Sequence, residues 1–398
     1  MDGLRSPFDT VGPWIVGRMG RMLKIGTLRV TLPDGRKRLL TGAQAGPSAE
    51  LIVRRWRLLP RLLSGSAGFG EAYVAGDWDS PDLPALLSLF ARNLDAAGPR
   101  PLALPWRRWR RRIEDFRRAN DLEGSRRNIA FHYDLGNEFY RRWLDDSMTY
   151  SSAIFESPGQ DLGAAQDAKF RRIAALANLS PGQRVLEIGC GWGGFARWAA
   201  REIGCSVTAI TVSPAQHAHA AAAIQADGLG DRIDLRRQDY REVTGCFDRI
   251  VSIEMLEAVG ARYWPRYFAQ VRDRLRAGGR AAIQTIVISD SAYDRYRNGV
   301  DFVQKHVFPG GMLPSVGALR AEARRANLLW GGDRAYGEHY AQTLAEWRNR
   351  FEASWQELTR LGFDERFRRL WRFYLAYCET GFRSGRVNVY QIALDVGT

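Results

Sequence analysis

The stretch Val185-Leu-Glu-Ile-Gly-Cys-Gly-Trp-Gly-Gly194 runs from a short apolar strand into closely spaced glycines, and Phe195-Ala-Arg-Trp-Ala-Ala200 behind it reads as a helix. Glycines at Gly189, Gly191 and Gly193 let the main chain turn sharply and let a ligand lie against it. That suits a nucleotide-like cofactor. Gly189, Gly191 and Gly194 also satisfy the dinucleotide fingerprint, so the motif alone does not choose between cofactors. A dinucleotide site calls for an acidic residue about 20 positions on, to bind the ribose hydroxyls. No Asp or Glu occurs between residues 203 and 226. The second strand instead ends at Thr211, with Gln216 just inside the next helix. An amide there both donates to and accepts from a ribose diol. A third strand-like segment, 233–238, ends at Asp239-Tyr240, where a carboxylate can take an adenine amino group. A fourth, 247–253, leads to Glu254-Met-Leu-Glu-Ala-Val-Gly260. This order of elements fits an S-adenosylmethionine (SAM) methyltransferase better than a hydride-transfer enzyme.

A chain of 398 residues is long enough for two domains. Its 45% hydrophobic and 26% charged content is that of a globular protein rather than a disordered one. No apolar run approaches the roughly 18 residues of a membrane-spanning helix, and charges interrupt the first 24 residues, so no signal-peptide core is expected. Cys190, Cys205, Cys246 and Cys378 are spaced as neither a disulfide framework nor a zinc site. His217 and His219 do not share a helix face, so no metal is expected. The expected location is cytoplasmic.

The net charge of +14 calls for an anionic partner. Within it, Pro105-Trp-Arg-Arg-Trp-Arg-Arg-Arg-Ile-Glu-Asp-Phe-Arg-Arg118 sets arginines beside Trp106, Trp109 and Phe116. Guanidinium groups on lipid phosphates with indoles at headgroup level would make this an interfacial segment. A solvated basic linker and a base-stacking surface for nucleic acid are the other readings.

Residues 24–41 read as a hairpin turning at Pro33-Asp-Gly-Arg36, with a third strand over 49–55. Residues 68–78 read as a helix ending at a glycine, and 82–94 as an amphipathic helix. Ala97-Gly-Pro-Arg-Pro101 breaks the pattern. The expected organisation is a small α+β domain over 1–100, a basic aromatic linker over 101–127, and an α/β domain over 128–398. The latter is a Rossmann-like class I SAM methyltransferase sheet with helical additions. In it, 280–288 reads as a buried strand, 290–340 as turn-rich, and 387–396 as the last strand.

With these elements in place, the chain resembles the cyclopropane-fatty-acyl-phospholipid synthase family, SAM-dependent enzymes that modify cis double bonds of membrane acyl chains. The resemblance rests on Phe131-His-Tyr-Asp-Leu-Gly-Asn137, Met148-Thr-Tyr-Ser-Ser152, the glycine loop, Thr211-Val-Ser-Pro-Ala-Gln216, Asp239-Tyr-Arg241, Glu257-Ala-Val-Gly260, Phe308-Pro-Gly-Gly311 and His339-Tyr340. Gly68-Phe-Gly-Glu-Ala-Tyr73 is similar to the family's lipid-engaging N-terminal domain. The resemblance implies that Tyr150 and Ser151 close over the cofactor, that Gln216 meets the ribose, and that Asp239 and Tyr240 lie at the adenine. It further implies a bound bicarbonate as base, gripped by Ser152, Glu257, Gln284, Tyr340 and the backbone of Ile286. Ser152 stands where cysteine is common and Gln284 where histidine is common. Cys378 matches a cysteine once named as the family's active residue, although methyl transfer to an alkene needs no thiolate.

The chemistry makes these roles intelligible. Attack of an alkene on a sulfonium methyl leaves a carbocation, which a dry, apolar and slightly negative site would stabilise. Tyr133, Phe139, Tyr263 and Trp264 are candidates for cation–π contact. A base then takes a proton, from the added methyl if a ring closes or from elsewhere if it does not, with Glu257 as the residue that orients or supplies it. Cyclopropane formation is the default expectation, and a methylene or methyl branch the alternative, because the anion site is altered. A nucleic-acid methyltransferase is more remote. The partners expected are unsaturated phospholipids at an anionic surface on the inner face of the membrane, with no nucleic acid. A homodimer is implied by family analogy alone.

Overall fold

The computed structural model describes residues 20–62, 64–96 and 135–397, with 12, 14, 16 and 17 ahead of them. The chain divides into two units. The first holds the described residues up to 96 together with Val300–Val307 and Trp355–Ser384, and the second holds 135–299, Phe308–Ser354 and the chain from Gly385. This differs from the expectation that everything after 128 forms one domain. The expected boundary at 97–101, the basic segment 105–118 and Phe131, His132 and Tyr133 lie outside the described residues.

In the first unit, alternation buries Leu28 and Val30 of β1 (Ile25–Thr31), which pairs antiparallel with β2 (Lys37–Thr41). Strand β3 (Gln44–Val53) runs parallel to β1, and β4 (Trp78–Asp79) completes the order β2-β1-β3-β4. The helix expected over 68–78 spans Gly65–Val74 instead. Gly76, at φ +74°, turns the chain so that Trp78 enters β4, fully buried and stacked on Phe69 at 4.1 Å. Gly70 explains why later helices join this unit. A Cβ there would lie 2.4 Å from the Phe302 ring and 2.6 Å from the Phe373 ring, so only glycine admits such close approach. Those rings belong to the helices Phe302–His306 and Glu365–Arg383.

The second unit is a seven-stranded sheet ordered β10-β11-β9-β8-β5-β6-β7. It comprises β5 (Arg184–Ile188), β6 (Ser206–Thr211), β7 (Ile233–Arg237), β8 (Phe247–Ile253), β9 (Leu275–Ile288), β10 (Leu328–Ala335) and β11 (Val387–Val396). Strands β5 to β9 are parallel, while β11 runs antiparallel to β9 and β10 antiparallel to β11. Successive side chains face opposite sides of a strand. Leu186, Ile188, Ile250 and Ile283 therefore pack with Phe268 and Val271 on one face, and Val185, Val207, Val251 and Ala282 with Ile173 and Phe195 on the other. Burial on both faces is why these strands read as nearly continuous apolar runs. Residues 290–340, expected to be turn-rich, carry the helices Asp290–Tyr296, Phe302–His306 and Val316–Arg325 as well as β10. The sequence order of strands reverses at β5, between β8 and β6. In such sheets a ligand crevice forms at the carboxyl ends of the strands at this point.

Candidate active site

The glycine loop sits at that switch point. Backbone amides of Gly189 and Cys190 both donate to the Ile210 carbonyl, at 3.1 and 2.9 Å, which ties the loop to the end of β6. The three glycines, all at positive φ, do different work. A Cβ on Gly189 would come within 2.7 Å of Met255, so Gly189 is needed for packing beneath the loop. A Cβ on Gly191 would meet nothing within 4 Å, and Gly191 lines a pocket. Gly193, expected at the cofactor, instead faces the helix Pro214–Ala226, where its Cβ would lie 3.1 Å from that of Ala220.

The pocket gathers most of the other predicted cofactor residues: Tyr150, Ser151, Thr211, Gln216, Asp239 and Tyr240. The Thr211 hydroxyl donates to Gln216 Oε1 at 2.8 Å, which fixes the amide and turns its NH2 toward a ligand oxygen. Asp239 is already engaged. Its Oδ1 accepts from Arg241 N and Nε, and its Oδ2 from the guanidinium at 2.8 Å, so only remaining lone pairs are open to an adenine amino group. The Tyr240 hydroxyl is buried with no partner among the described residues, beside Tyr267 at 5.5 Å. Burial pushes it up to about 12, so it meets a ligand as a neutral phenol.

At the other end of the pocket stand Glu187, Lys169 and Glu254, none of them singled out by sequence. Glu187 Oε2 is buried without a partner among the described residues, and burial pushes this carboxyl up to about 8. A glycine cradle, an oriented amide and unsatisfied acidic oxygens together fit the adenosyl and sulfonium parts of SAM.

The segment Met148–Ser152 borders this pocket. Tyr150 packs against Trp143 at 5.5 Å, Trp347 at 5.2 Å and Phe308 at 6.5 Å. Tyr340 stands edge-on to Trp347 at 6.1 Å. Both lie on the helix Gly337–Ala353, seven residues apart, which returns them to the same face. Of these aromatics Tyr150 lines the pocket, and the others pack behind it. Tyr133 is outside the described residues, Phe139 packs with Tyr140 and Trp143, Tyr263 lies beside Arg241, and Trp264 belongs to the core.

The groups expected around bicarbonate do converge, but on protein carboxylates. Glu254 follows β8 at φ +52°, a left-handed conformation costly for a residue with a Cβ and characteristic of functional sites. Its Oε1 accepts from Ser152 N and Gln284 Nε2, both at 2.8 Å, and its Oε2 accepts from the Tyr340 hydroxyl at 2.6 Å. Gln391 Nε2 donates to Gln284 Oε1 at 3.0 Å, which forces the Gln284 NH2 toward Glu254. Ser152 thus contributes its backbone amide, while its hydroxyl donates to the Ala153 carbonyl. Ile286 N donates to Glu257 Oε1, and Glu257 Oε2 is buried without a partner among the described residues.

The two carboxylates differ electrostatically. Burial raises both, but three donors and the nearby Lys169 ammonium favour the anion at Glu254. Glu257 feels the repulsion of Glu254, and burial and that charge push it up to about 8. Glu254 is therefore the more readily ionised of the two, and Glu257, at about 8, is mainly protonated at neutral pH.

Cys378 is not among these groups. It lies on the Glu365–Arg383 helix of the first unit. Burial, with the charge of Asp301 adding to it, pushes its thiol far up. A thiol so held is not a nucleophile.

Sheet order, glycine cradle and pocket define a class I SAM-dependent methyltransferase. The sequence profile of the Mycolic acid cyclopropane synthetase family matches residues 120–392, and the chain belongs to that family. It is 40% identical to the tuberculostearic acid methyltransferase UfaA1 of Mycobacterium tuberculosis over 98% of this chain and 93% of that one. It is 34% identical to the cyclopropane-fatty-acyl-phospholipid synthase of Escherichia coli K12 over 88% of each chain. Among solved structures, the mycolic acid cyclopropane synthase CmaA1 with SAH and CTAB is similar at a TM-score of 0.64 and 27% identity, covering 68% of this chain and 98% of that one. The protein is a SAM-dependent methyltransferase of the cyclopropane synthase type, in a family that modifies fatty acyl chains.

Proposed function

We propose that this enzyme methylates a cis double bond in a phospholipid acyl chain and releases an open-chain, methylene-branched product, with Glu254 as the base in place of bicarbonate. The observation that carries this reading is the Glu254 carboxylate held by Ser152 N, Gln284 and Tyr340. These are groups the family resemblance assigns to a bound anion. A second anion among them would meet an existing negative charge, so bicarbonate does not fit.

SAM supplies an electrophilic methyl on a sulfonium. The alkene π electrons form the new C–C bond as the S–CH3 bond breaks, which leaves a cation on the neighbouring carbon. The electron-rich ring of Tyr150, which lines the pocket, and the charge of Glu254 stabilise that cation. Proton loss from the new methyl to Glu254 before any rearrangement closes the ring. A 1,2-hydride shift moves the cation to the methylated carbon, and proton loss from the new methyl then leaves a C=CH2 branch on the open chain. Burial raises the basicity of Glu254 and its three hydrogen bonds oppose that rise while fixing the carboxylate in place; where proton removal from the new methyl lags, the shift has time to occur. Similarity to a tuberculostearic acid methyltransferase supports the same branch.

Lipid extracts from cells expressing the chain test this by mass spectrometry. The expected result is a one-carbon addition whose remaining double bond takes up two hydrogens on catalytic hydrogenation under conditions that spare cyclopropanes, leaving a saturated methyl branch, and which forms at an undiminished rate in bicarbonate-depleted buffer. Cyclopropane as the only product, with strict bicarbonate dependence, overturns the proposal and leaves the family assignment standing.

The substrate surface belongs to the same reading. The net charge of +14 and the arginine–tryptophan run at 105–118 support docking on anionic phospholipid at the cytoplasmic face. Replacing Arg107, Arg108, Arg110, Arg111 and Arg112 by Ser should weaken binding to anionic vesicles and reduce its salt dependence while sparing SAM affinity. Equal vesicle binding before and after would make the run a linker.

A further inference from the structure

Lys169 is a lysine with no exposed surface on the helix Leu162–Ala177, and no step described above uses it. A buried ammonium is costly unless paired, and a cationic cofactor makes a cation in the same pocket harder to explain. Its Nζ donates to Ser151 Oγ at 2.8 Å and lies 4.5 Å from the centre of the Phe170 ring. One turn earlier on the same helix, Gln166 Nε2 donates to the Ser151 carbonyl at 3.0 Å. Ser151 precedes the residue whose amide holds Glu254. The helix therefore fastens the Met148–Ser152 segment at two points, yet a neutral donor at 169 would serve that purpose as well.

The surroundings explain the charge. Three acidic groups lie around Lys169 from different elements: Glu254 from the end of β8, Asp145 from the chain before the segment and Glu187 from β5. Asp145 has its own donors in the Ser147 and Thr149 amides, at 3.0 and 3.3 Å. Glu187 has no partner for Oε2 among the described residues. Glu254 is surrounded by neutral donors, the Ser152 amide, Gln284 and Tyr340. Lys169 and Glu254 line the same pocket and hold the adjacent residues Ser151 and Ser152, which brings the ammonium near that carboxylate.

We propose that Lys169 is a positioning residue that keeps Glu254 ionised in the dry pocket, acting through its charge, while its hydrogen bond to Ser151 sets the distance from which that charge acts. The proposal rests on the reading of Glu254 as the base. Burial lowers Lys169 to about 8, and it remains mainly charged at neutral pH because the carboxylates around it oppose further loss.

The test uses the full-length enzyme with vesicles of cis-monounsaturated phospholipid and saturating SAM, so that the cofactor's charge is the same in every variant. The readout is the acidic limb of the kcat–pH profile. Lys169→Gln keeps a donor for Ser151 and removes the charge, and Lys169→Arg keeps the charge. In K169Q the limb should move to higher pH by about one unit, a tenfold loss of ionised base at a fixed acidic pH. In K169R it should stay near its original position. A limb that does not move in K169Q, with turnover reduced equally at every pH, overturns the proposal and leaves Lys169 a tether. If K169Q does not fold, the double variant K169Q/E254Q decides. Recovery of folding when the facing negative charge is also removed supports the pairing, and continued failure overturns it. Glu254→Gln alone reports on the underlying reading: full turnover in E254Q overturns the base assignment whatever Lys169 does.

Discussion

Glu254→Gln should reduce single-turnover methyl transfer by at least about 10²-fold while leaving SAM affinity within a few-fold of the parent. Losing a general base or a charge that stabilises a developing cation costs about 10²- to 10⁴-fold. This substitution removes both. It also creates a local conflict. Glu254 is reached only by donors, from Ser152 N, Gln284 Nε2 and Tyr340 Oη. A glutamine amide must turn its own NH2 toward at least one of them and leave that group unsatisfied. Glu257→Gln is the informative contrast. Glu257 is pushed up to about 8, so at pH 7 it is mainly neutral and its amide replacement changes little charge. The expected loss there is within about tenfold at pH 7, growing as the pH rises through 8, where the parent carboxylate ionises. Rapid-quench turnover and calorimetric SAM titration on both variants separate the roles. A large loss in E257Q with none in E254Q would reverse them.

That assignment marks the limit of what the sequence could show. The glycine loop, Gln216 and Gln284 were legible because each breaks a local pattern: glycines after an apolar run, polar residues in an apolar strand or at a helix start; Tyr340 came from the family resemblance alone. Strand β11 was legible over its full length because its apolar residues are bounded by a glycine and the chain end. Glu254 and Glu257 sit three residues apart in one short segment, and periodicity does not say which of them meets the Ser152, Gln284 and Tyr340 donors. The left-handed backbone at Glu254 decides it, and that conformation has no signature when the residue is not glycine. Lys169 was hidden for a different reason. On a helix rich in alanine and charge it reads as a solvated residue, and only the carboxylates of three other elements show why it is buried. The same holds for the division into units. The Glu365–Arg383 helix is strongly amphipathic, yet nothing in an amphipathic pattern names the surface it covers. Gly70, with the Phe302 and Phe373 rings against it, does.

The second large effect is expected in the cofactor cradle, where Gly191→Val should weaken SAM binding by at least about 100-fold, close to 2.7 kcal/mol. The reason is the direction of the missing side chain rather than a clash within the protein. At Gly191 a Cβ meets no heavy atom within 4 Å, and the residue lines the pocket, so valine's branches would occupy space a ligand needs. The backbone sets a second cost. Gly191 has φ +55°, a left-handed conformation that disfavours a Cβ by about 1–2 kcal/mol. That strain lowers stability by a few degrees in Tm without unfolding a domain of this size. Gly191→Ala separates the two terms, because it carries the same backbone strain with far less intrusion. Its stability loss should approach that of the valine variant, and its loss of affinity should be much smaller. Gly189→Ala is the opposite control: its Cβ would press on Met255 at 2.7 Å, so it should disturb packing under the loop and lower Tm as well as affinity. Calorimetric titration of SAM beside thermal melts for the three variants checks the pattern. A folded G191V that binds SAM as the parent does would move the cofactor away from the 189–194 loop, and with it the sulfonium methyl from the neighbourhood of Glu254.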